Sequence, residues 1–244
     1  MKEFFKGLFS KKQLNRIWEL DAFRGICLIC MVIIHVLFDM QQFFGLKFSV
    51  PIWLQYLQEY GGIFFMLLSG ICVTLGHHNI RRGLIVAAAA VLVTVSTILT
   101  VPDYLRIYFG ILHLLAFSML TYSFYRKLPW WAIIAIGTGF AALGFYFKTI
   151  TVSTPYLFPL GLVTADFCAG DFFPVFPNVG FFMIGAGLGK IIYKDKETLF
   201  KKVDPDFFLI RFFAFCGRHS LLIYLLHQPL VLGVFYGVKF ISAL

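Results

Sequence analysis

One stretch of the chain, Arg16 to Phe44, is long and apolar enough to cross a bilayer, which takes about 20 residues. Its middle nevertheless carries ionisable side chains, and each such group at membrane depth costs roughly 2.5–3.5 kcal/mol. At about 100° of rotation per residue, these groups share a stripe about 60° wide on one helix. They are Asp21, Arg24, His35 and Asp39. We therefore expect this polar stripe to face a protein interior or a water-filled cavity.

The composition of the whole chain is that of an integral membrane protein. Of its 244 residues, 60% are hydrophobic and 14% are charged. Soluble domains average about 45–50% apolar and about 25% charged residues. No polar run is long enough to form a separate soluble domain. We predict an interfacial basic segment at residues 1–16 and a single transmembrane domain at residues 17–244.

The formal net charge of +9 reflects membrane topology rather than a nucleic-acid partner. Most of the 21 Lys and Arg residues lie in alternate predicted loops, which the positive-inside rule assigns to the cytoplasm. These basic loops precede the first predicted span and follow the second, fourth and sixth. We therefore predict a cytoplasmic N-terminus, an extracytoplasmic C-terminus, contact with membrane lipids and no nucleic-acid partner.

Hydropathy predicts an all-α protein with about seven transmembrane helices. After the first, the predicted spans are Trp53 to Gly76, Gly83 to Val101, Arg106 to Tyr125, Trp130 to Phe147, Val179 to Tyr193 and Gly217 to Lys239. The longest connection, Lys148 to Pro177, lies between spans five and six, and its aromatic content predicts an ordered loop on the outer face. The stretch Phe207 to Phe215 is predicted to lie at the membrane interface.

The five cysteines do not predict a structural disulfide, because only Cys168 lies in a predicted outer loop. The Cys27-x-x-Cys30 pair resembles a redox motif. Inside an apolar helix it is better explained by packing.

The predicted topology brings polar side chains from several spans to similar depths. The outer half of the membrane is expected to hold His35, Asp39, Glu59, His113, Asp171 and His227. The cytoplasmic half is expected to hold Asp21, Arg24 and Arg218, while Tyr224 shares a helix face with His227.

These residues divide into two predicted groups. An imidazole held by a carboxylate is a common general base. We therefore predict catalytic roles for His35, Asp39, His113 and His227, and substrate-binding roles for Asp21, Arg24, Glu59, Asp171, Arg218 and Tyr224. Structural roles stay open as well: Asp21 with Arg24 can be a buried ion pair, and the histidines can bond neighbouring groups.

Five blocks of the sequence, in this order, share the pattern of one known family. They are LDAFRGICLICMVIIH, FFMLLSGICVTLG, FGILHLLAFSML, DFFPVFPNVGFFMIGAGLG and GRHSLLIYLLHQP. Together they resemble the bacterial branch of the heparan-α-glucosaminide N-acetyltransferase family of transmembrane acyltransferases. The resemblance implies transfer of an acyl group to an acceptor on the far side of the membrane. The expected acyl group is acetyl from acetyl-CoA, and the expected acceptor is a carbohydrate or another compound with a hydroxyl or amine group.

One departure from the family affects the catalytic assignment. The animal lysosomal members have an asparagine where His35 stands, and their catalytic histidine comes further along. This chain has no histidine between His35 and His77. We therefore predict that His35, oriented by Asp39, deprotonates the acceptor, with either direct transfer or an acetyl-imidazole intermediate.

A proton-coupled transporter or a haem- or metal-binding membrane protein is the alternative, because buried histidines and carboxylates also serve proton relays and metal sites. The absence of an inverted repeat speaks against a transporter. If the chain is an enzyme of this family, we expect acetyl-CoA as its donor substrate and no metal. The sequence is also compatible with a homodimer.

Overall fold

The computed structural model describes residues 17–46 and 48–241, so the predicted interfacial segment 1–16 lies outside the described residues. Within the described ranges the chain is helical, with isolated β-bridges but no β-strand element. The helices are α1 (Trp18–Phe44), α2 (Ile52–Leu75), α3 (Asn79–Thr100), α4 (Ile111–Tyr125), α5 (Trp130–Phe147), α6 (Val175–Ile192), α7 (Phe208–Arg218) and α8 (Ser220–Ile241).

Six of the described helices are long and apolar enough to cross a membrane: α1, α2, α3, α5, α6 and α8. The all-α membrane fold predicted from the sequence is therefore confirmed. The remaining predicted span corresponds to α4, which has 15 residues. At 1.5 Å per residue this helix is about 22 Å long, short of the roughly 30 Å hydrocarbon core. The count of seven crossings is not confirmed.

The helix α4 starts five residues later than the predicted span, which began at Arg106. The segment before α4 instead runs along α3, whose hydroxyl groups satisfy its backbone. Thr94 Oγ1 donates to the Ile107 carbonyl at 2.8 Å, and the Ile107 N–H donates to Thr97 Oγ1 at 3.2 Å. Side-chain partners of this kind allow non-helical backbone inside an apolar environment.

The predicted last span, which began at Gly217, is divided between two helices. His219 has non-helical backbone angles (φ −103°, ψ 20°), so α7 ends at Arg218 and α8 begins at Ser220. The helix α7 packs along α1 and buries Ala214, Cys216 and Gly217 there. Arg218 is therefore the last residue of α7, two positions before α8 begins.

Glycines allow the helices to cross at backbone contact. A Cβ atom added at Gly25 would overlap the Phe213 carbonyl oxygen, and one added at Gly217 would overlap that of Asp21. The helices α2 and α6 meet in the same manner, through Gly70 and Gly185. Small residues at such crossings permit the close van der Waals packing that drives helix association in membranes.

The most buried helix is α6, which packs against both α2 and α5. Phe182 of α6 is fully buried in a cluster with Met66, Leu114 and Ile133, which come from α2, α4 and α5. These four helices form the packed side of the bundle. The helices α1, α3 and α8 complete it around a cavity.

The long connection after α5 is ordered, as predicted. Residues 148–174 contain a 3₁₀-helix, Pro155–Leu160, and pack against the segment before α4. The Gly170 N–H donates to the Arg106 carbonyl at 3.1 Å, and the Phe173 N–H donates to the Phe109 carbonyl at 3.0 Å. These bonds hold the end of the connection, which includes Asp171, beside the first turn of α4.

Candidate active site

A cavity of about 870 Å³ lies between α1, α2, α3, α4 and α8 and reaches the end of the long connection. Its lining is mostly apolar, with polar groups at two ends. Arg24, Arg82 and Arg218 line one end, which we name the arginine end. His35, Asp171 and Tyr224 line the other, which we name the histidine end. From Arg24 to His35 the rise along α1 is about 16 Å.

The polar stripe predicted on the first helix therefore faces a cavity in part. Arg24 and His35 line it, whereas Asp21 and Asp39 are buried within the protein, with 6% and 1% of their surfaces exposed. No lipid-facing position needs to be assigned to any of the four groups.

Two of the three candidate histidines come together. The ring centroids of His35 on α1 and His227 on α8 are 5.1 Å apart, with the ring planes inclined by 57°. His35 lines the cavity, and His227 lies behind it with 9% of its surface exposed. Ring centroids about 4.5–7 Å apart are typical of rings in contact, so the two imidazoles pack against each other.

The hydrogen bonding of His227 assigns its tautomer. Nδ1 lies 2.6 Å from the Tyr224 carbonyl oxygen, which can only accept a hydrogen bond, so Nδ1 carries the proton. Nε2 then presents a lone pair. It is buried and has no hydrogen-bond partner among the residues that the structure describes. An unsatisfied basic nitrogen of this kind can receive a proton during a reaction.

Asp39 forms a hydrogen bond with α8 rather than with the His35 ring. Its Oδ2 accepts a hydrogen bond of 2.9 Å from Gln228 Nε2, and no hydrogen bond joins Asp39 to His35 within the described part of the chain. The i,i+4 spacing places both residues on one face of α1, but Gln228 of α8 supplies the nearer donor. The role that the geometry supports for Asp39 is thus to position His227 through its neighbour.

The third histidine, His113, lies apart from this pair and does not line the cavity. Its Nδ1 accepts from the Gly110 N–H at 3.2 Å, so its Nε2 carries the proton and lies 3.1 Å from Thr94 Oγ1. Both ring nitrogens are therefore used at the start of α4. A capping role follows from this geometry, and a catalytic role for His113 stays a prediction.

Asp171 joins the long connection to α4 and α8. Its Oδ2 accepts hydrogen bonds from the Ile111 N–H at 3.3 Å and from the Tyr224 hydroxyl at 3.4 Å. Burial raises the pKa of Asp171 to about 6, although both of these hydrogen bonds act to lower it. The carboxyl group is surrounded by protein, while part of its surface faces the cavity.

The fold places the remaining predicted binding residues in different surroundings. Arg24 and Arg218 both line the cavity, and they adjoin Gly25 and Gly217, where α1 crosses α7. Asp21 lies in the protein interior next to them. Glu59 is exposed on α2 and does not line the cavity.

Residues 16–229 match the family model described as heparan-alpha-glucosaminide N-acetyltransferase, catalytic. The chain belongs to this family. The match covers most of the sequence and contains every residue of both ends of the cavity. It identifies an acetyltransferase-type membrane enzyme. No curated protein and no solved structure shows significant similarity to the chain.

No group of three or more His, Cys, Asp or Glu side chains that could hold a metal ion occurs within residues 17–46 and 48–241. The polar groups described for the candidate site of this N-acetyltransferase family member are imidazoles, one carboxyl group, a phenol and guanidinium groups.

Sequence reasoning did not assign three residues that the structure makes prominent. Arg82 lies in the basic loop predicted after the second span and had no predicted site role, but it lines the cavity. Gln228 adjoins His227, and only the packing of α1 on α8 reveals its partner. Glu19, 1% exposed, accepts hydrogen bonds from Thr198 Oγ1 and the Leu199 N–H, both at 2.8 Å. Nothing in the local sequence around Glu19 indicates that anchoring role.

Proposed function

We propose that the chain transfers an acyl group, acetyl in the first instance, from cytoplasmic acyl-CoA to an amine or hydroxyl acceptor on the extracytoplasmic side. The observation that carries the proposal is one cavity, in a chain of this family, with cations at one end and a histidine pair at the other. The positive-inside charge distribution supports placing the arginine end toward the cytoplasm.

The arginine end is suited to the donor. CoA carries several phosphate groups, and guanidinium groups bind phosphate through paired charge-assisted hydrogen bonds. Arg24, Arg82 and Arg218 come from α1, α3 and α7, and all three line the cavity. The apolar middle of the cavity then accommodates the pantetheine chain, which places the thioester toward His35.

The histidine end is suited to the transfer step. The acceptor gives its proton to His35 as its nitrogen or oxygen adds to the thioester carbonyl carbon. The carbon–sulfur bond then breaks, and the CoA thiolate takes the proton from the imidazolium. The products are the acylated acceptor, free CoA and neutral His35, so the site returns to its starting state.

The second histidine supports this step from behind. The free Nε2 lone pair of His227 can accept a hydrogen bond from the His35 ring, which orients that ring and stabilises its protonated form. Tyr224 and Asp171 add polar groups where the acceptor enters. The family description supports an α-glucosaminide as the first acceptor class to test.

The test is turnover of radiolabelled acetyl-CoA by purified full-length protein with a panel of amino sugars, amines and alcohols. We expect acceptor-dependent release of CoA. His35→Ala is expected to lower kcat by at least about 100-fold, the low end for loss of a general base. His77→Ala, which removes an exposed histidine of the α2–α3 turn, is the matched control and is expected to retain activity.

A wild-type protein that neither binds nor consumes acetyl-CoA with any acceptor would overturn the proposal. Equal activity of His35→Ala and wild type would show that the protein is an acyltransferase whose general base is not His35.

A further inference from the structure

The first part of α2 is exposed both toward the cavity and away from it. Tyr56 and Tyr60 line the cavity with 57% and 52% of their surfaces exposed. Gln55, which does not line the cavity, is exposed as well. Within residues 52–60, Leu54 alone is buried. We name residues 52–60 the α2 arm. Segments with so few buried contacts belong to the least stable parts of a fold.

The second half of α2 is fixed in the bundle by contrast. Its buried residues are Met66, Leu68, Ser69, Gly70 and Val73. A Cβ atom added at Gly70 would overlap the Phe182 carbonyl oxygen of α6, and one added at Gly185 of α6 would overlap that of Leu67. The two backbones are therefore in contact, and this half of α2 has no room to move against α6.

Two adjacent glycines, Gly61 and Gly62, separate the arm from the fixed half. A Cβ atom added at Gly62 would overlap the Phe173 ring, so packing explains this glycine. At Gly61 the nearest atom to an added Cβ is in Leu57 of the same helix, at 3.7 Å, which is an ordinary contact. Packing within the described chain therefore does not require a glycine at position 61. Glycine pairs are common sites of helix bending, because glycine restricts the backbone least.

We propose that the α2 arm moves about Gly61 to open and close the histidine end of the cavity. Hinges of this kind are a few residues, often small, that absorb the backbone change while the flanking parts stay rigid. The arm begins beside Phe173, which belongs to the same short segment as Asp171. Movement of the arm away from Phe173 opens the cavity where Asp171 lines it.

This inference rests on the proposed function and adds the control of access to its site. The open position admits the acceptor and releases the acylated product. The closed position encloses the acceptor with the thioester beside His35. Closure also excludes water, which would otherwise hydrolyse the thioester.

The first experiment measures the motion directly, by distances between two spin labels in full-length protein. One label is placed on the arm through Ile52→Cys and the other on α5 through Phe145→Cys, in a Cys168→Ser background. Both sites are exposed, at 69% and 51%. A reference pair without the arm joins Val95→Cys of α3 to Phe145→Cys. We expect the arm pair to show a distance distribution at least about two-fold broader than the reference pair.

Gly61→Ala is the variant that tests the hinge. Its methyl group fits without a clash and restricts the backbone, so the distribution of the arm pair is expected to narrow to the reference width. We expect kcat to fall at least about five-fold, since arm opening limits acceptor entry and product release. KM for acetyl-CoA and the thermal midpoint are not expected to worsen. Gly139→Ala, a glycine of α5 with no atom within 4 Å of an added Cβ, is the matched control and should change neither width nor kcat.

A wild-type distribution as narrow as that of the reference pair would overturn the proposal, and so would an unchanged broad distribution in Gly61→Ala. A fall in kcat without narrowing would also overturn it, because Gly61 would then affect the site by another route. The distance measurement needs no turnover. A protein that is inactive toward acetyl-CoA but whose broad distribution narrows in Gly61→Ala would therefore refute the proposed function and still support the moving arm.

Discussion

The paired histidines differ in what surrounds their ring nitrogens. His35 faces the cavity, while His227 donates from Nδ1 to a backbone carbonyl and leaves Nε2 unbonded within the described residues. In the proposed function, His35 meets the substrates and His227 acts on His35. We therefore expect one sequence pattern, a histidine on a polar helix face, to serve two different roles.

The variant His227→Gln tests this division. It removes the Nε2 base but leaves the cavity lining unchanged, so we expect kcat to fall about 10- to 100-fold, less than for loss of a direct general base. KM for acetyl-CoA is expected to stay constant. Steady-state kinetics of the purified variant is the measurement, and a raised KM with normal kcat would contradict the division.

Asp171 gives the site a dependence on pH. Burial raises its pKa from 3.8 to about 6 in the folded chain. Because the folded state binds this proton more tightly, the stabilising contribution is complete below about pH 4 and is lost as pH rises through about 6. The upper limit is about 3 kcal/mol, from the free energy of one pKa unit.

Asp171→Asn, which stays neutral, is expected to remove this dependence. The thermal midpoint of the variant minus that of wild type should increase with pH between about 4 and 6 and then level off. Thermal unfolding in detergent across that range is the measurement. Asp103→Asn, an exposed pair partner of Arg106, is the control. A difference independent of pH would show that Asp171 has no raised pKa.

At the scale of helices, one hydrogen bond joins α1 to α8 beside the histidine pair. Asp39 is 1% exposed, and Gln228 is its hydrogen-bond donor. A buried carboxyl group that loses its donor costs about 1–3 kcal/mol, whereas replacing both partners with apolar groups can be nearly neutral. The effect of this hydrogen bond on protein stability can therefore be measured separately from its effect on the position of His227.

Gln228→Met is expected to lower both stability and kcat. The double variant Asp39→Leu/Gln228→Met is expected to recover stability but not kcat, because the bond that places His227 is still absent. Thermal unfolding and turnover are compared with Gln41→Met, an exposed glutamine of α1 whose amide bonds the Phe48 carbonyl. Full recovery of kcat in the double variant would show that the bond has no positioning role.

The crossing of α1 and α7 positions Arg24 and Arg218 at the arginine end. Gly25→Ala places a methyl group against the Phe213 carbonyl, and overpacking of this kind costs about 1–3 kcal/mol. We expect a lower thermal midpoint and a raised KM for acetyl-CoA, because Arg24 and Arg218 flank this crossing. Gly139→Ala is the control: its added Cβ meets nothing within 4 Å, so the variant should be at least as stable as wild type.

At the scale of the whole molecule, the short helix α4 decides the relative position of the termini. Six crossings place both termini on one side, and seven place them on opposite sides. We propose seven, with the long connection and Cys168 outside. Cys168 is the exposed cysteine among those described, while Cys27, Cys30, Cys72 and Cys216 are partly or fully buried.

Labelling of intact cells with a membrane-impermeant maleimide tests this topology. Cys168 is expected to react from outside, and Cys168→Ser is expected to abolish the labelling. Reporters fused to each end should lie on opposite sides of the membrane. Labelling only after cell lysis would show that the orientation is opposite to the one proposed. Reporters on the same side of the membrane would show six crossings.

The sequence alone determined most of the spans and the polar face of α1. Both depend on local quantities, because apolar length is set by bilayer thickness and rotation per residue is a property of the helix. The order of the long connection was also predictable, since its aromatic residues need to pack. From these features, His35 and Arg24 were expected to face a protein interior or a cavity, and both line a cavity.

Only the tertiary structure decided which polar groups meet. Asp39 bonds Gln228, His113 bonds Gly110 beside Thr94, and Glu19 bonds the segment after α6. Such pairings depend on the relative rotation and tilt of helices far apart in sequence, which glycine contacts such as Gly25 with Gly217 set. A local pattern gives the direction of a side chain along its own helix, but the nearest partner comes from the packing of the other helices.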